Sequence, residues 1–226
     1  DTLVIRNAQG VDVTEKLNIR KVDGSIKIKP AKLTVVTPNA TKQYDAKPLT
    51  SAGTISGFAG KETAVFTTTG TQTDVGKSKN TYKIDWEAEG TTAKKGNYEI
   101  DETVGTLEVT PLKDVTVQIR GKSLTKTYDG EEATVEGYEV AGVSNELFDT
   151  DSIQYVAPNA NVASEPVVKG KNAGTYQMGL APENFSSTDD NIDVTFEIVE
   201  DGQLTIDKRK IVLRSASATK TYDGQP

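Results

Sequence analysis

Apolar residues in this chain fall at every second position over short runs. Within Thr106–Thr110, Leu107 and Val109 share one face while Thr106 and Glu108 share the other. Val115, Val117 and Ile119 alternate in the same way, as do Tyr82, Ile84 and Trp86, and Val194, Phe196 and Ile198. A period of two over four to six residues is the signature of a strand with one covered face and one wet face. Gly, Asn and Asp punctuate the runs at Lys94–Asn97, Pro158–Asn161, Gly170–Gly174 and Ser187–Asn191, where turns are predicted. No stretch shows the period of a long amphipathic helix. Gly60–Val65 and Ser144–Asp149 each suit one short helical or 3-10 turn. The pattern predicts an all-β protein of tandem immunoglobulin-like β-sandwich modules, each with six to eight antiparallel strands. A β-grasp-like module with one short helix at those two stretches is the alternative.

The pattern also repeats on a larger scale. "ATKQYDAKP" at 40–48 returns as "LTKTYDGEE" at 124–132 and "ATKTYDGQP" at 218–226. Eighty-four residues separate Tyr44 from Tyr128, and 94 separate Tyr128 from Tyr222. A second anchor, Gly followed by an alternating run, recurs at Gly24, Gly105 and Gly202, with spacings of 81 and 97. Two anchors with matching offsets define a tandem repeat. The division is then 1–30, the C-terminal strands of a truncated preceding repeat; 31–112, a first module; 113–209, a second; and 210–226, the first strand and turn of a following repeat.

Weaker correspondences set Gly57-Phe58 beside Gly142-Val143, Tyr82 beside Tyr176, and Asn97–Ile100 beside Thr195–Ile198. The second module carries a longer middle segment between Tyr155 and Gly174, a change that loop-closure entropy tolerates. The terminal segments are expected to be ordered by strand pairing, with an adjacent repeat or with a neighbouring molecule, because open edges recruit strands. Short junctions at Lys29–Lys32, Thr110–Lys113 and Asp207–Lys210 leave little linker freedom, and Pro30 and Pro111 stiffen two of them.

The repeated turn comprises Tyr44 and Asp45; Tyr128, Asp129 and Gly130; and Tyr222, Asp223 and Gly224. Asp at a turn accepts a hydrogen bond from the backbone two residues on, and Gly takes positive φ without penalty. Tyr before it can bury its ring and direct its hydroxyl to a backbone group. This reads as a structural corner, with a sugar platform of Tyr and Asp as the functional alternative. Ala46 replaces Gly in the first copy, which predicts a turn there that tolerates a β-carbon.

Composition narrows the chemistry. There is no Cys and no His among 226 residues, which removes thiolate metal sites, disulfides, thiol catalysis and Ser-His-Asp triads. Net charge is −7, the wrong sign for nucleic acid or an anionic membrane. No apolar run is long enough to insert into a bilayer. Carboxylate pairs occur at Glu131-Glu132, Asp149 with Asp151, Asp189-Asp190 and Glu200-Asp201, but each lies among Ser, Thr and Gly at a strand end, without an aromatic cleft to raise one pKa. No cofactor and no catalytic residue are expected.

Asp189, Asp190, Asn191 and Asp193 offer hard oxygen ligands at calcium-like spacing, yet without the central Gly and final Glu of an EF-hand loop. An intramolecular isopeptide bond would need a buried Lys beside an amide or carboxylate, and Lys83 and Lys169 near predicted strands are its candidates. Tyr82, Trp86 and Tyr98 could stack on a glycan, although alternation with Ile84 places Tyr82 and Trp86 in the core.

Taken together, "TYDG" or "QYDA" turns followed by "GFAGKETAVF", "GNYEI" and "GTLEVTP" resemble the MBG and YDG-type repeats of bacterial surface proteins. The resemblance covers nearly all of residues 31–226. It implies a large exported protein, Gram-positive and attached to the cell wall, in which such modules form a stalk or adhesin. The expected role is a non-enzymatic spacer that projects other domains from the cell, with adjacent repeats as partners. An adhesive module binding a host or matrix glycan or protein is the alternative, with its specificity in the unlike segments 58–80 and 143–172.

Overall fold

The computed structural model describes residues 3–160 and 162–225, so that Asp1, Thr2 and Pro226 of the two predicted terminal units lie outside it. The first module contains β1 (Ala31–Thr37), β2 (Ala40–Gln43), β3 (Thr54–Ser56), β4 (Val65–Thr68), β5 (Gly76–Lys79), β6 (Tyr82–Asp85), β7 (Tyr98–Val104) and β8 (Thr106–Thr110). They form small sheets in the orders β3-β1-β7, β2-β8-β5 and β4-β6. The second contains β9 (Leu112–Gly121), β10 (Leu124–Thr127), β11 (Ala133–Glu136), β12 (Tyr138–Val143), β13 (Ile153–Tyr155), β14 (Val167–Gly170), β15 (Gly174–Gln177), β16 (Phe185–Ser187), β17 (Ile192–Glu200) and β18 (Gln203–Asp207). Its sheets run β12-β9-β17, β10-β18-β15, β13-β16 and β11-β14. The plans coincide pair for pair, except that the isolated bridge Leu49–Gln72 stands where β11 and β14 pair over four residues.

The pairing departs from the expected antiparallel sheets. β1 runs parallel to β7, β2 to β8, β9 to β17 and β10 to β18. Each module opens and closes with two consecutive strands that bend from one sheet into another, and the opening pair lies alongside the closing pair in the same direction. The bends touch. Gly105, between β7 and β8, lies so close to the bend after β1 that a Cβ there would stand 2.3 Å from the Pro38 oxygen. In the second module Gly121 and Gly202 meet similarly, with a Cβ on Gly121 falling 2.2 Å from the Gly202 nitrogen. The repeated glycine is therefore needed for close backbone approach, since none of these three has positive φ.

Alternation decides what lies inside. Leu33 and Val35 of β1, Leu107 and Val109 of β8, Val115, Val117 and Ile119 of β9, and Leu204 and Ile206 of β18 are buried. Tyr98, Phe58 and Trp86 complete the first module's core, Tyr98 stacking on Trp86 and meeting Phe58 edge-on. Phe148, Tyr155, Phe185 and Phe196 fill the larger core of the second.

Several expectations are revised. The described residues contain only 3-10 turns of three residues, at Thr14–Lys16, Lys95–Asn97, Thr150–Ser152 and Pro182–Asn184, and no α-helix. The β-grasp alternative therefore lacks its helix: Ser144–Asp149 is a plain turn, and Gly60–Val65 is a turn that leads into β4. Ser78, rather than Tyr82, matches Tyr176, because Ser78 faces Leu107 as Tyr176 faces Leu204. No strand forms among residues 3–30 or 208–225, where one local bridge joins Arg6 to Asp12. A strand needs a partner for its backbone groups, and the two modules have already paired their own.

Candidate functional site

The three Tyr-Asp turns share one construction. The Oδ1 of Asp45, Asp129 and Asp223 accepts the backbone N–H two residues on, from Lys47 at 3.0 Å, Glu131 at 3.0 Å and Gln225 at 3.1 Å. The residue after each Asp has positive φ: Ala46 at 59°, Gly130 at 89° and Gly224 at 78°. Ala46 thus adopts the same left-handed conformation as the glycines, so the first turn is not of a different, β-carbon-tolerant kind. A fourth participant escaped the sequence reading. Lys42, Lys126 and Lys220, each two residues before Tyr, pair with the turn aspartate, the last two at 2.8 and 3.0 Å. The ammonium, and then the backbone N–H, hold all three Asp carboxyls below the usual carboxylate range. The signal was present: Lys stands at that position in every copy.

The tyrosines differ sharply. Tyr44 and Tyr128 are anchored alike, their N–H groups donating to Thr110 O at 2.9 Å and Asp207 O at 2.8 Å. Tyr44 is nevertheless half-buried, packed against the core of the second module and not of its own. Tyr128 is 38% exposed and Tyr222 90% exposed. The ring therefore contributes to the contact between modules.

Asn191 completes that contact. Its backbone oxygen accepts Leu112 N–H at 3.0 Å, at the start of β9, and its side-chain Oδ1 accepts Val75 N–H at 2.7 Å, in the first module. β9 is three residues longer than β1, with Asp114 at φ 61° and a register shift against β17, and this extension brings Leu112 opposite Ile192. One asparagine thus binds the far module and the linker at once.

Two of the four residues of the calcium reading have structural partners. Asp189 turns its Oδ1 to the Asn191 N–H at 2.9 Å, and the Asn191 oxygen is engaged by Val75. Among the described residues no three metal-ligating side chains gather. Three of the other carboxylates have local structural partners. Asp149 caps the turn at Asp151 N–H, Glu200 pairs with Arg120, and Asp201 accepts Gly179 and Leu180 N–H groups; Glu131 is exposed. Lys83 and Lys169 are exposed, without the buried setting an isopeptide bond needs. Tyr82 lies against Phe66 and donates to Glu102, and partial burial together with that carboxylate pushes its hydroxyl up to about 12. Trp86 packs into the core with Tyr98 and forms no exposed platform with Tyr82.

No helix of the described residues is long and apolar enough to cross a membrane. No family model, curated protein or solved structure matches this chain.

Proposed function

We propose that this chain is a non-enzymatic spacer: two immunoglobulin-like modules joined stiffly in series, from an exported bacterial surface protein of the MBG and YDG-repeat kind. In that setting it stands outside the cell, anchored to a Gram-positive wall, and holds other domains at a distance. One observation carries the reading. The repeated Tyr of the first module is seated on the second module's core while Asn191 ties Val75 and Leu112 together. A spacer must resist bending between its units, and a contact combining a ring, two hydrogen bonds and a short linker does so.

The absence of cysteine makes the test direct. Nitroxides are attached at Glu87→Cys and Lys171→Cys, both exposed, and the distance between them is measured by pulsed electron resonance. A stiff pair gives one narrow distribution, which Asn191→Ala combined with Tyr44→Ser broadens. A broad distribution in the unmodified chain would remove the basis for the reading.

A further inference from the structure

The contact that holds the second module has an exposed counterpart on the second module itself. In the first module the docking surface is built from the Tyr44 ring and the Val75 N–H, just before β5. The second module repeats these positions. Tyr128 matches Tyr44 in the turn, and Ala173 matches Val75, because Gly76 faces Val109 in the ladder as Gly174 faces Ile206. There Tyr128, Asn172, Ala173, Lys208, Arg209 and Ile211 line an open groove of ≈ 500 Å³.

The segment leaving this groove has the pattern of a strand but pairs with none among the described residues. Gly24 to Tyr44 and Gly202 to Tyr222 both span 20 residues, so the two stretches align without a gap. Ile211 and Leu213 then stand where Leu33 and Val35 are fully buried, yet they are 75% and 88% exposed. Apolar side chains alternating this way in the open mark a strand without its sheet.

We propose that the groove at Tyr128 and Ala173 is a docking surface for a further β-module of this kind, the one that Lys208–Tyr222 opens. The proposal builds on the spacer reading above. The occupant is identified by continuity: the same turn, anchored to the same last strand, already carries a module one repeat earlier. On docking, the Tyr128 ring is covered as Tyr44 is, and Ile211 and Leu213 leave the surface for the new module's core.

The test extends the full chain. Gln225-Pro226 matches Lys47-Pro48, so a second copy of residues 49–111 appended after Pro226 completes a module of the first type. Tetranitromethane nitration, mapped by peptide mass, reports tyrosine exposure. Amide exchange at Ile211–Leu213 reports whether the new module folds. The expected result is protected Ile211–Leu213 amides and a fall of about fivefold or more in Tyr128 nitration, to the level of Tyr44. A second chain, extended with residues 133–209 instead, guards against one incompatible graft. Tyr128 nitrated as fast as in the parent while Ile211–Leu213 are protected overturns the proposal, and so does failure of those amides to gain protection in both extensions. Tyr44 serves as the internal control: if it stays unreactive, only the second docking surface is lost, whereas a reactive Tyr44 removes the stiff first junction as well.

Discussion

At the residue scale, the three turns form a natural substitution series. Ala46, Gly130 and Gly224 occupy one backbone region, at φ 59°, 89° and 78°, but only Ala46 carries a β-carbon there. In the left-handed region that carbon crowds the following carbonyl, at a cost of roughly 1–2 kcal/mol, partly offset by the greater unfolded-state entropy of glycine. Ala46→Gly is therefore expected to raise stability by up to about 1 kcal/mol, and Gly130→Ala to lower it by about as much. Open space surrounds Gly130, so its substitution reads backbone strain alone. Urea unfolding of the two variants checks both signs; a stabilising Gly130→Ala would contradict the argument.

At the scale of elements, the two bends where opening and closing strands cross are the tightest points of each module. A β-carbon on Gly105 would stand 2.3 Å from the Pro38 oxygen and 2.5 Å from the Thr37 oxygen, both backbone atoms that cannot rotate aside. Gly24 occupies the same place in the repeat, but nothing lies within 4 Å of its would-be Cβ. Gly105→Ala should thus cost about 3 kcal/mol or more in unfolding free energy, and Gly24→Ala less than about 0.5 kcal/mol. Equal effects would show that the glycine serves something other than the crossing. The neighbouring position shows two solutions to one packing problem. Asn80 N–H donates to the Gly105 oxygen at 2.8 Å and its side-chain amide to the Pro38 and Ser51 oxygens at 3.0 Å each, whereas Met178 N–H donates to the Gly202 oxygen at 2.6 Å. A polar knot in the first module is replaced by an apolar side chain packed against both second-module clusters.

For the whole molecule, one alternating pattern has two outcomes. Leu107 and Val109 lie at most 2% exposed within β8, while Ile26 and Ile28, at the matching repeat positions, are 94% and 89% exposed. A side chain stabilises the fold only if burial removes it from water, and sequence period alone does not supply the covering layer. Leu107→Ala is expected to cost about 2–5 kcal/mol, and Ile28→Thr to leave the urea midpoint unchanged within error. A destabilising Ile28→Thr would mean that the segment before Pro30 folds onto the modules after all.

The chain's own pattern determined its all-β character, the strands around Leu107, Val117 and Phe196, and the repeat with Gly105 and Gly202 among its anchors. These follow from local partition between water and core, and from backbone geometry that recurs wherever the motif does. Pairing direction required the tertiary structure, because β1 and β7 are brought together across some sixty intervening residues and either direction satisfies the same alternation. The same holds at the junction. Tyr44, Tyr128 and Tyr222 sit in near-identical sequence, yet only the Tyr44 ring is covered, by another module's surface that no local pattern contains. Asn191, legible as an acidic-turn residue, became the clamp because a three-residue lengthening of β9 carried Leu112 within reach of its backbone oxygen.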